Sequence, residues 1–109
     1  MDPKYQAKFR ELERRVLDGP GTLDPAIREA AAGSGTVADE VDAYVEKVRL
    51  HAYEVTDDDI VALKAAGYSE DQIFELTVAT AFGTARKRLF TVLDAMGERS
   101  ASVTEGGRR

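Results

Sequence analysis

Ser69-Glu70-Asp71-Gln72-Ile73-Phe74-Glu75-Leu76-Thr77-Val78-Ala79-Thr80-Ala81-Phe82-Gly83-Thr84-Ala85 is the stretch on which the fold turns. It opens as a capping box. The Ser69 hydroxyl accepts from the Gln72 N–H while the Gln72 side chain reaches back to Ser69, which satisfies two donors that a helix start leaves open. No proline interrupts the chain beyond this start, and Ile73, Leu76, Phe82, Leu89, Leu93 and Met96 continue the run as far as Gly97. From Leu76 to Ala85 the side chains are apolar or small almost all the way round, so the spacing predicts a long helix buried on several sides. The stripes available elsewhere in the chain are narrow. The long helix therefore predicts a homo-oligomer, with Phe74, Phe82 and Phe90 in the core or at a subunit contact.

Four shorter helices precede it. Asp2-Pro3 is a start signal, because proline at the first helical position lacks only an N–H that would be unpaired anyway. Tyr5, Phe9, Leu12 and Val16 then recur at helical spacing until Gly19-Pro20-Gly21. Asp24-Pro25 repeats the signal for a short helix through Ala32, with Ile27, Ala30 and Ala31 on its apolar side and Gly33-Ser34-Gly35 as its stop. Thr36 and Asp39 resemble a capping box for a third helix, whose stripe of Val41, Val45, Val48, Ala52 and Val55 predicts an end near Tyr53. Thr56 followed by Asp57-Asp58-Asp59 places acids in a fourth first turn, where the helix dipole favours them, and Gly67 ends that helix. Two-residue alternation is not sustained anywhere. The expected fold is all-α with about five helices: an N-terminal helix and turn over 1–22, a helical core over 23–97, and a polar tail over 98–109 expected to be mobile.

Composition narrows the function. With 109 residues the chain suits one domain, and its net charge of -5 opposes a nucleic-acid partner, whose affinity comes from Lys and Arg at phosphates. Zero cysteines exclude disulfides, thiolate metal sites and thiol catalysis. Met1-Asp2-Pro3-Lys4 lacks the apolar stretch of a secretion signal, and no run approaches a membrane span. A cytoplasmic protein with no membrane partner is expected.

His51 is the lone histidine and the first candidate for acid–base work; the other reading is a histidine at a helix edge or packed against a neighbour. Asp57-Asp58-Asp59 lacks the oxygen ligands and glycine of a calcium loop, so capping explains it and no metal is expected. Arg86-Lys87-Arg88 points in three directions on a helix, each about 100 degrees from the last, and does not form one patch.

From Leu23-Asp24-Pro25-Ala26-Ile27-Arg28-Glu29, through the helix ending in His51, to Ala65-Ala66-Gly67-Tyr68-Ser69-Glu70-Asp71-Gln72-Ile73-Phe74-Glu75-Leu76 and the small-residue helix, the chain resembles the carboxymuconolactone decarboxylase and AhpD-like alkylhydroperoxidase superfamily. In the peroxidase branch two cysteines precede the histidine, and the positions matching them hold Tyr44 and Lys47. The resemblance therefore implies a cysteine-less member without peroxidase activity. It carries His51 onto the family histidine. Glu29 resembles the context of the family's relay glutamate, at a longer spacing, with Gly33 to Gly35 as the place of an insertion; Glu46 is a local substitute. The decarboxylase branch implies a lyase-type reaction on a small carboxylated substrate, with no cofactor, in which Lys47 and Tyr44 bind and His51 moves a proton. A non-catalytic helical oligomer, acting as a ligand-binding or structural protein, is the alternative.

Overall fold

The computed structural model describes residues 2–33, 35 and 37–97, which form five α-helices and one 3-10 turn, with no strand among them. The expected tail, and the capping role of Thr36, lie outside these residues. No helix of the described residues is long and apolar enough to cross a membrane.

Helices α1 (Pro3–Asp18) and α2 (Pro25–Ala32) start as their Asp-Pro pairs dictate, with Asp2 accepting from the Lys4 N–H and Asp24 from the Ala26 N–H, both at 2.9 Å. α3 spans Asp39–Leu50, and its N-cap is Ala38, which offers no side-chain acceptor. It stops three residues before the expected Tyr53. At His51 the backbone leaves helical space (φ -144, ψ 54), and a 3-10 turn succeeds it at Ala52–Glu54. Ala52 is therefore exposed, while Val55 reaches the core from the turn and not from the helix. α4 (Asp57–Ala65) begins where the Thr56 N–H donates to the Asp59 carboxylate at 2.9 Å, and α5 (Glu70–Ala95) begins at the reciprocal Ser69–Gln72 pair.

α5 is the axis of the domain, touched by α1, α2, α3 and α4. Its Ile73 and Leu76 join Leu23, Ala31, Val41, Tyr44, Val45 and Leu63 in the main core. A second cluster of Leu17, Ala32 and Ala79 seats α1, whose Phe9 ring lies 5.5 Å from both Phe82 and Phe90. α2 makes the closest approach, at Gly83, where an added Cβ would collide with the Ala32 backbone.

Two charged side chains, a buried arginine and a half-exposed glutamate, fix the α1–α2 corner. Arg28, 3% exposed, donates from Nη1 to the Val16 carbonyl at 3.1 Å and from Nη2 to that of Gly19 at 2.7 Å, closing the C-terminal end of α1. Glu75 of α5 accepts from the Thr22 N–H (2.9 Å), the Thr22 hydroxyl (3.0 Å) and the Leu23 N–H (2.8 Å). The two backbone donors, foremost that of Thr22, hold the Glu75 carboxyl below its usual 4.5.

Candidate functional site

Tyr44, Lys47 and His51 succeed one another along α3, but each meets a different neighbour. Tyr44 is buried, 5% exposed, with its Oη 2.6 Å from Thr77 Oγ1. Thr77 already donates to the Ile73 carbonyl at 2.7 Å, so the phenol is the donor and Thr77 the acceptor. Lys47 Nζ lies 3.0 and 3.1 Å from the two Asp59 oxygens. The Thr56 N–H, with Lys47 second, holds Asp59 below the usual carboxylate range, which makes the pair a clasp between α3 and the start of α4. His51 is exposed at the end of α3. Its ring stands edge-on to Tyr53 at 5.9 Å, with Nδ1 3.4 Å from the Tyr53 hydroxyl.

The two glutamates lie elsewhere. Glu29 is exposed on α2 beside Asp18; a hydrogen bond with that carboxyl, and the repulsion between the two charges, push Glu29 above 4.5. A carboxyl so placed is held by the α1 terminus and not turned to α3. Glu46, about 100 degrees round α3 from Lys47, borders a groove of about 700 Å3 between the C-terminal ends of α2 and α3 and the second half of α5. Of the five residues singled out by sequence, only Glu46 borders this groove.

The groove is built by helix ends. Arg49 crosses from α3 to α2, donating from Nη2 to the carbonyls of Ala31 (2.8 Å) and Gly33 (2.7 Å), with Ala30 at 3.2 Å. It caps carbonyls that α2 would otherwise leave open and places a cation in the wall. Gly83 lets α2 sink against α5, which sets the floor, and Leu50, Val92 and Ala32 supply apolar surface. Lys87 enters from α5, with Arg88 farther round the helix at the lip. Arg86, the first residue of the basic triplet, turns away to pair with Glu13 of α1 and lies over the Phe82 ring.

No known protein family, characterised protein or solved structure matches this chain. The site's chemistry must therefore be read from its own groups. With Arg49, Lys87 and Arg88 against Glu46, the groove concentrates positive charge on a protein of net charge -5. Apolar walls with a few placed cations suit an anion that carries a hydrocarbon body. Among the described residues no three acidic or histidine side chains converge as for a metal ion. Sequence reasoning missed Arg49 and read Lys87 only as part of a triplet that forms no single patch, whereas Lys87 and Arg88 both border the groove. Their helical positions were readable, but that α2 and α3 would end beside the second half of α5 was not.

Proposed function

We propose that this chain is a non-catalytic, self-associating helical protein that binds a small monocarboxylate with an apolar body in the groove between α2, α3 and α5. The observation that carries the reading is the convergence of Lys87 and Arg49 on one apolar recess, with Glu46 beside Arg49 on the α3 wall. Lys87 and the Arg49 N–H groups not engaged by α2 would hold the carboxylate, while Leu50, Val92 and Ala32 would shelter the rest. Glu46 would repel a second carboxylate and so select monoanions over dianions.

The resemblance to the carboxymuconolactone decarboxylase and AhpD-like superfamily stays within this proposal as the origin of the scaffold. The lyase reaction it implies is the less supported reading. General acid–base work needs a proton carrier beside an orienting partner and an enclosed substrate, whereas His51 is exposed with Tyr53 as its neighbour. The absence of cysteine removes peroxidase chemistry by thiol in either case.

Amide-resolved NMR titration with octanoate and with benzoate tests the site. Shifts should centre on Gly83, Thr84, Lys87 and Leu50, and Lys87→Glu should weaken binding about tenfold or more. Shifts centred on His51 and Lys47, or none at millimolar ligand, would overturn the proposal.

A further inference from the structure

α5 has a second apolar face. Ile73, Leu76, Ala79, Thr80 and Gly83 are buried within the chain, and the opposite side leaves Phe74, Val78, Ala81, Ala85, Val92 and Met96 open. Phe74 is 68% exposed and Val92 55%. At about 100 degrees per residue these positions fall in one band, and Asp71 precedes Phe74 on it while Arg88 lies between Ala85 and Val92. Both are exposed, and neither pairs with another described residue.

We propose that this band is the seam of a two-fold dimer in which α5 packs antiparallel on α5 of a second copy, Phe74 against the partner's Ala85 and Asp71 against the partner's Arg88. This deepens the self-association proposed above and rests on it; Arg88 and Val92 border both this band and the groove. The order of side chains sets the direction. Asp71 and Arg88, Phe74 and Ala85, and Val78 and Ala81 are three pairs placed symmetrically about the same point, midway between Ala79 and Thr80. An antiparallel two-fold axis at that point puts acid on base at each end, large on small next to it, and Val78 on the partner's Ala81 at the centre. The contact runs for about 26 Å from Asp71 to Arg88.

Parallel pairing of the same faces gives the reverse. It sets Asp71 against the partner's Asp71 and Arg88 against the partner's Arg88, and leaves Ala81 and Ala85 facing alanines with a gap between the helices. A foreign partner has no need of a surface that is its own complement about one point. A second copy does, because every contact of an isologous interface must occur twice. The alanines also let two helix axes come within about 8 Å, so that Phe74 is covered on both sides.

The test uses the full chain, whose lack of cysteine makes introduced thiols unambiguous. Light scattering coupled to size exclusion should find twice the 11.9 kDa chain mass at micromolar concentration. Under mild oxidation a mixture of Phe74→Cys and Ala85→Cys chains should cross-link to each other. Ala85→Cys alone should not, since in this register the two copies of residue 85 lie about 16 Å apart along the axis. Asp71→Arg should weaken the dimer about tenfold and Asp71→Arg with Arg88→Asp should restore it. Far-UV circular dichroism checks that each variant is folded. A wild-type monomer across that range would overturn self-association itself. A dimer in which Ala85→Cys cross-links alone, or in which the double reversal fails to rescue, would overturn this register and leave self-association standing.

Discussion

The backbone of Ala32 occupies the space where a side chain at Gly83 would begin. Both residues are buried, Ala32 at 8% exposure, and they are the point at which the last turn of α2 rests on the middle of α5. Each also lines the groove, so one close approach serves the packing and the site together.

Gly83→Ala should therefore destabilise the fold by about 3 kcal/mol, the upper range of overpacking, because the obstacle is main chain and not a side chain that can rotate away. Ala43→Leu, on the exposed side of α3 and away from the groove, should change stability by less than about 0.5 kcal/mol, since leucine is also a good helix former. Urea unfolding of both variants checks the contrast. Equal midpoints would refute the close approach.

Glu75 makes stability depend on acid. Its pKa in the folded chain lies below 4.5, so it binds fewer protons folded than unfolded. Its contribution is complete above 4.5 and is lost as pH falls through the lower folded value. Glu29, pushed up by Asp18, acts in the opposite sense: its contribution is complete below 4.5 and is lost as pH rises through its folded value. Glu75→Gln should cost about 2 kcal/mol at neutral pH through the lost charged acceptor for Thr22 and Leu23, and should flatten the acid limb of the stability profile. Asp18→Asn should flatten the opposing term. Thermal melts from about pH 3 to 7 separate the two.

Tyr44→Phe should destabilise by about 1 kcal/mol, since Thr77 keeps its bond to Ile73 but loses the phenolic donor in a partly buried setting. His51→Ala, at an exposed helix end, should change stability by less than about 0.5 kcal/mol. Neither should alter carboxylate binding in the groove. A loss of binding in His51→Ala would return the function to the end of α3.

Glu46→Gln should leave monocarboxylate affinity within about twofold and strengthen dicarboxylates about tenfold, because the wall then no longer repels a second negative charge. Calorimetry with octanoate and suberate reads both. If both ligands gain equally, Glu46 acts on net charge alone and not on selectivity.

Helix existence and helix starts were legible because they depend on neighbours a few residues apart. Asp2-Pro3, Asp24-Pro25, Thr56 with Asp59, and Ser69 with Gln72 each carry their own hydrogen-bond partner in the local sequence, and each opens a helix. The end of α3 was not legible. The valine stripe runs on past His51, and only the need to aim Val55 at the core from a turn, with Thr56 left to cap α4, ends the helix at Leu50.

The amino-acid sequence by itself determined an all-helical chain without thiol chemistry, and a long helix with apolar or small residues on nearly every side. Both come from short-range periodicity and from composition, which no folding can change. Tertiary structure alone decided what each polar residue of α3 would meet. Tyr44, Lys47 and His51 share a spacing, yet Thr77 from α5, Asp59 from α4 and Tyr53 from the adjoining turn draw them apart. It also decided that Glu46, Arg49 and Lys87, from two helices, would border one groove. The physical reason is that a side chain's direction is set by its own helix, but its partner is set by which helices pack alongside, here fixed by contacts as distant in sequence as Ala32 and Gly83.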